Sequence, residues 1–502
     1  MGGGSESRSR GGEESRKPPS PHHHTRKRVP APSPAFDLLT GLLDKSLLQL
    51  GQAEAHEPRF LMLETVREFA LERLAECGEA EAIAAAHAAY MLDLAERAEP
   101  HLPGPDERWW LSRCDAELGN LRAALAWSVA HDVETALRIG AALWFYWAWY
   151  QLPEGLRWLT AGLARPAPVS ALLRARALTV HGALAVMSGD AITCFASGAD
   201  AVASAVQAGD ALAEARARWI GACGHLYADT VASAPPLLDR ALPLFEQATT
   251  TADRSWGAYA WYTRGAASFL LGDKETGRVH YEEALARIRA AGSDGLTLLF
   301  LSDFAGWLIE LGETAQARDM LAEALTIGAD HGGVRLVAST LISLALIDAL
   351  EGEAATSARR LGAVEALWPL TGLAIAIHYQ LRVDRAAARA RDALGDDAFA
   401  AAWAAGRADP SAVLAAAMHR AEPTGTTVSS ARTGKAEQRR VLSRREQQVL
   451  PLLIDGRSDR EIADALFVSQ RTASNHVSAI LRKLGAGSRA EAAVRAVRDG
   501  LV

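Results

Sequence analysis

Residue types able to do covalent or metal chemistry are thinly spread over these 502 residues. Four cysteines, Cys77, Cys114, Cys194 and Cys223, stand far apart with no C-x-x-C spacing. That argues against a disulfide framework or a zinc site and fits a reducing compartment. Three consecutive histidines, His22 to His24, sit in a polar stretch and read as a solvated tail rather than a metal site. Arg432-Thr433-Gly434-Lys435-Ala436 has the Gly-Lys of a phosphate-binding loop but neither its first glycine nor its final hydroxyl. No G-x-x-x-x-G-K-[ST], G-x-S-x-G, H-E-x-x-H or G-x-G-x-x-G occurs elsewhere, so nothing cradles phosphates or activates a nucleophile. The sequence predicts no enzyme, no cofactor and no metal. The aromatic run Trp144, Phe145, Tyr146, Trp147, Trp149 and Tyr150 could line an inducer pocket, but aromatics that dense on a helix predict buried core.

Polar chemistry does cluster near the C-terminus, in SQRTASNHVSAILRK from Ser469 to Lys483. The elements that position it announce themselves. Ser443-Arg-Arg-Glu446, Ser458-Asp-Arg-Glu461 and Ser488-Arg-Ala-Glu491 are S-x-x-E capping boxes, each heading an apolar-periodic segment. They predict helices over 443–454, 458–466 and 488–498, with a third of the four over 469–484, capped by Ser469. Only Phe467-Val468 separates the second from the third. Helices joined so tightly form a helix-turn-helix, whose second helix lies in the major groove of DNA. Leu450, Leu453, Ile462, Leu466, Val477, Ile480, Leu481 and Leu484 are its expected core. Charge agrees: residues 441–502 carry ten Lys/Arg against seven Asp/Glu, whereas the whole chain has net charge −7.

The segment LSRREQQVLPLLIDGRSDREIADALFVSQRTASNHVSAILRKLGAGSRAEA resembles the LuxR-type (GerE-like) helix-turn-helix through Glu446, Leu450, Gly456, Glu461, Ile462, Ala463, Leu466, Ser469, Thr472, His476, Ile480, Lys483, Leu484, Arg489 and Glu491. The resemblance implies that the helix from Ser469 reads DNA, with Ser469, Gln470, Arg471, Thr472, Ser474, Asn475, Ser478, Arg482 and Lys483 as its DNA-binding residues. Ser474, Asn475 and Ser478 fall where the family meets base edges, and the Asn475 amide can bond adenine bidentately. Arg471, Thr472, Arg482 and Lys483 fall where phosphates are held. His476 reads as a packed helix residue. Two features depart from the family pattern. Its T-V-K is here Thr472-Ala473-Ser474, and Pro451 interrupts the first helix. Together they predict a folded module of modest affinity.

From Phe36 to about Arg420 the pattern is helical almost throughout. Gly189-Asp190, Gly272-Asp273, Gly312-Glu313 and Gly352-Glu353 punctuate it, the last three 40 residues apart, with 189 to 272 close to two such steps. Glu283-Ala284-Leu285, Glu323-Ala324-Leu325 and Glu365-Ala366-Leu367 form a second marker. Each unit reads as helix, glycine turn, helix, and only stacked units can bury their apolar faces. The pattern resembles tetratricopeptide repeats. LLDKSLLQL (42–50), RFLMLETVREFALERLAECGEAEAI (59–83), HAAYMLDLAERAEP (87–100), DAELGNLRAALAWSV (115–129) and EGLRWLTAGLA (154–164) resemble the arm-and-repeat region of large STAND-type bacterial regulators, with 42–74 as the tail of a winged-helix segment. The P-loop ATPase of those proteins has no counterpart here.

The expected fold is all-α: a TPR-like α-solenoid of helical hairpins, a linker and a four-helix module. The expected divisions are a disordered basic tail (1–34), a winged-helix remnant and helical arm (35–100), helical repeats (101–420), a linker (421–440) and the DNA-binding domain (441–502). Ile139 to Tyr150 is too short to cross a membrane. The expected protein is a cytoplasmic transcription regulator that binds double-stranded DNA as a homodimer, with a protein or small-molecule inducer on the repeats. The competing reading is a protein-interaction scaffold with a vestigial C-terminal module.

Overall fold

The structure is a computed structural model. It describes residues 34–420 apart from 55–56, 229, 332–333, 372–374 and 376, and, beyond these, 442, 444–454, 457, 459–466, 470–484, 492 and 496. The expected tail, its histidines, the 421–440 linker and the capping serines Ser443, Ser458, Ser469 and Ser488 lie outside the described residues.

The chain divides into two compact units. The smaller one holds α1 (Pro34–Asp44), the hairpin of β1 (Leu48–Glu54) and β2 (Glu57–Met62), and the start of α2 (Glu64–Glu76). This hairpin is the exception to the helical pattern. Leu38, Leu50, Leu61 and Phe69 are exposed.

The larger unit opens with α3 (Ala80–Ala98), α4 (Glu107–Ala116), α5 (Leu118–His131), α6 (Val133–Ala142), α7 (Trp144–Tyr150) and α8 (Leu152–Leu163). The aromatic run is core. Trp144, Phe145, Tyr146 and Trp147 are buried, the Tyr146 hydroxyl donates to Asp115 at 3.1 Å, and the Trp147 indole donates to the Gly140 carbonyl at 3.1 Å.

Five helical hairpins follow: α9 (Ala171–Met187) with α10 (Ala191–Ala208), α11 (Ala211–Tyr227) with α12 (Ala234–Phe245), α13 (Thr251–Leu270) with α14 (Lys274–Ala291), α15 (Asp294–Glu310) with α16 (Thr314–His331), and α17 (Val334–Leu350) with α18 (Ala354–Leu367). Gly189, Gly272, Gly312 and Gly352 make four of the five turns with φ between 83° and 92°, where a Cβ would be strained. Each turn closes with the same bond. The amide after the glycine donates to a carbonyl five residues back, as in Asp190 to Ala185 at 2.9 Å and Glu353 to Asp348 at 2.8 Å. Asp190 and Asp273 then cap the following helix by accepting from the amides of Thr193 and Thr276. The α11–α12 hairpin is the unit between 189 and 272 that lacks the glycine signal.

The second marker needs correction. Ala284, Leu285, Ala324 and Leu325 are buried, whereas Ala366 and Leu367 are only half-buried. The third Glu-Ala-Leu is two positions out of register.

Two polar features tie the repeats together. Residues 99–107 run between α3 and α4 as a strap. Arg176 donates to both oxygens of Glu99 at 2.6 and 2.7 Å, and the Ser255 hydroxyl donates to the Pro103 carbonyl. Glu107, 1% exposed, accepts from the Ser293 hydroxyl at 2.6 Å and the Gly295 amide at 2.7 Å, at the N-terminus of α15. Further along, Asp303 on α15 is fully buried. It accepts from Tyr262 at 2.6 Å, Tyr281 at 2.9 Å and Arg382 at 2.7 Å, and His378 lies 3.3 Å away. Arg382 and His378 belong to α19 (Ile377–Leu394), which α20 (Asp396–Ala408) and α21 (Pro410–Arg420) follow. Burial alone would raise the Asp303 carboxyl, but the charges of His378 and Arg382 outweigh it and hold the group well below the usual carboxylate range.

Candidate nucleic-acid interface

Three C-terminal helices are described: α22 (Arg444–Ile454), α23 (Asp459–Leu466) and α24 (Gln470–Leu484). Ala492 and Ala496, within the expected fourth helix, are helical and buried. These elements share one small core of Leu442, Val449, Leu450, Leu453, Ile462, Ala463, Ala473, Val477 and Ile480, with Leu466, Leu481 and Leu484 partly buried against it. All eight residues expected in the core are in it. Ala473, which stands where the family pattern has valine, is fully buried. Pro451 lies within α22 without ending it, and both Pro451 and Gln447, whose carbonyl loses its helical donor, are on the exposed side.

The register of α24 separates its two sides. Ala473, Val477 and Ile480 face the core. At about 100° per residue, positions 471, 475, 478 and 482 fall on the opposite side, with 472 and 474 flanking them. Ser478 is exposed, whereas Thr472, Ser474 and His476 are half-buried. Ser469 lies outside the described residues, as do the side chains of Gln470, Arg471, Asn475 and Arg482. The outward stripe therefore carries two arginine positions, an asparagine and a serine: donors for phosphates and an amide for a base edge.

Lys483 sits differently. Its position flanks the core side, and its Nζ donates to Glu446 Oε2 at 2.6 Å. The Glu446 side chain is only 7% exposed and that of Lys483 24% exposed. One residue earlier on α22, the Arg445 guanidinium donates to the carbonyl of Leu466, the last residue of α23, at 2.9 Å, and to the Gln448 side chain at 2.7 Å. Sequence reasoning found Glu446 as a cap and Lys483 as a phosphate contact, but not their pairing. The signal was present in the adjacent charges Arg445-Glu446 facing a basic helix end.

Comparison with known proteins agrees with this geometry. Residues 440–496 match the family described as bacterial regulatory proteins, luxR family (GerE). The spore germination protein GerE of Bacillus subtilis is 40% identical over 60 residues, 12% of this chain and 81% of that protein. The chain belongs to the LuxR family. Another match is the transcriptional regulatory protein DegU of Brevibacillus brevis, 45% identical over 62 residues, 12% of this chain and 26% of that one. A longer likeness joins it to a putative HTH-type transcriptional regulator of Mycobacterium tuberculosis, 32% identical over 314 residues and covering 58% of this chain. This LuxR-family chain aligns with about a third (34%) of that relative's length.

The repeats hold a recess of about 320 Å³. Arg176 and Arg216, 40 residues apart and equivalent in α9 and α11, line it together with Leu172, Leu212, Glu99 and Asp253. Both guanidiniums are already paired across it, Arg176 with Glu99 and Arg216 with Asp253. Among the described residues no cluster of His, Cys, Asp and Glu suits a metal ion, and no helix is long and apolar enough to cross a membrane.

Proposed function

We propose that this protein is a cytoplasmic, sequence-specific DNA-binding transcription regulator. In this reading α24 is inserted in the major groove and the helical repeats act as its sensor or partner-binding region. The observation that carries the reading is the two-sided register of α24. One side is committed to a core shared with α22 and α23, and the other offers Arg471, Asn475, Ser478 and Arg482 in succession. Ser474 and Asn475 with Ser478 read base edges, and Ser469, Gln470, Arg471, Thr472 and Arg482 hold the backbone. A single module of this size has a small interface, so we place two copies on two half-sites. The chain works without catalysis. The stretch over 42–74, which carries the hairpin, is the tail of a winged-helix segment.

The test is selection of bound sites from a randomised duplex pool by the full chain, followed by affinity measurements over a salt series. A recurrent motif is expected, with log affinity falling linearly as log salt rises. Absence of any retained duplex at low salt overturns the proposal.

A further inference from the structure

We infer that Arg445 and Glu446 form a clamp that positions the reading helix, and that Lys483 is a strut of this clamp rather than a phosphate contact. The inference rests on the DNA-binding reading above and assigns roles within it. Two adjacent residues of α22 reach in two directions. Arg445 holds the end of α23, where the last carbonyls lack helical donors and the helix dipole favours a cation. Glu446 holds the end of α24 through Lys483. Both helices of the helix-turn-helix are thereby referred to one rigid point on α22.

The charge balance fixes the role of Lys483. For its ammonium to reach a phosphate, it would have to break its short ion pair with a carboxylate that is nearly buried. Its charge is spent inside the protein, so it has no counterions to release from DNA.

Leverage makes the clamp matter for recognition. α24 has 15 residues and is about 22 Å long. A tilt of about 5° about its Lys483 end moves the other end by about 2 Å, whereas base contacts need placement to about 0.5 Å. Phosphate contacts, made by long flexible side chains, tolerate such a shift better. Loosening the clamp therefore costs sequence preference before it costs general affinity.

The experiment uses the full chain and compares a duplex selected by the wild type with a scrambled duplex across a salt series. Hydrogen exchange over residues 442–484 checks that each variant is folded. Arg445→Met should lower affinity for the selected duplex about 10-fold and for the scrambled one less than about 3-fold, with the salt slope unchanged. Arg445→Lys, which keeps a donor for the Leu466 carbonyl, should recover most of the preference. Glu446→Gln preserves shape but frees the lysine charge. It should lower the preference while raising scrambled-duplex affinity and steepening the slope by about one unit. Lys483→Gln should leave the slope unchanged, whereas Arg482→Gln should reduce it by about one. A reduced slope in Lys483→Gln overturns the strut, because the lysine then meets phosphate. An unchanged preference in folded Arg445→Met overturns the clamp, whose role is then only structural. If the wild type binds no duplex, the DNA-binding reading falls and this inference with it.

Discussion

Replacing Asp303 by asparagine probes the polar centre of the repeats. The substitution leaves Arg382, 2% exposed, with no counter-charge on its principal partner, and weakens the acceptor shared by the Tyr262 and Tyr281 hydroxyls. Removing one partner of a buried ion pair costs about 3–5 kcal/mol, a large share of the ~5–15 kcal/mol by which a domain is stable. Acidity adds a signature. The folded Asp303 carboxyl is held below its unfolded value of about 3.9. It therefore contributes stability that is fully present above that value and is lost as pH falls towards the depressed folded one. The gap between wild type and Asp303→Asn should be constant above about pH 5 and narrow below about pH 4. Urea unfolding of the full chain, followed by tryptophan fluorescence at several pH values, measures both. Asp303→Leu combined with Arg382→Met should lose less than the sum of the single changes, because the Arg382 charge is no longer left stranded. A loss under about 1 kcal/mol for Asp303→Asn, or a gap that ignores pH down to 3, would refute the reasoning.

Gly312→Ala places a Cβ at φ 83° and should destabilise by about 1 kcal/mol in the same unfolding assay. Gly306→Ala puts a Cβ within 2.1–2.4 Å of the Arg382 guanidinium and should approach the loss seen for Asp303→Asn. Asn475→Ala should cost about 1–3 kcal/mol on a selected duplex and relax preference at one base pair, read by competition binding. Burial pushes the thiols of Cys114 and Cys194 up to about 12 and that of Cys223 well above its ordinary value, while Cys77 is exposed. Native alkylation at pH 8, mapped by mass spectrometry, should mark Cys77 first and the others only on unfolding.

Local signals carried the architecture. A glycine before an acidic residue at 40-residue spacing marks a turn because the left-handed conformation belongs to the glycine alone, and at Asp190 and Asp273 the next side chain adds the helix cap. The C-terminal core was readable for the same reason, since apolar periodicity along each helix names its buried side. Long-range polar pairing was not readable. Glu107 looks like any surface glutamate until α15 arrives from 188 residues away. Asp303 in the apolar run LTLLFLSDFAGWLIE signals a buried charge, but nothing local names Arg382 as its partner. The misplaced Glu365-Ala366-Leu367 shows the reverse failure, in which short words recur by composition in an alanine- and leucine-rich chain.

The strap around Glu107 alters how such an array comes apart. A row of units that touch only their neighbours unravels from its weaker end, one unit after another. Here the thread leaving α3 is stitched to α9, α13 and α15 in turn, so the first four hairpins cannot peel away separately while those stitches hold. Stretching the chain from its N-terminal side should give one large rupture from this region rather than a staircase of small ones.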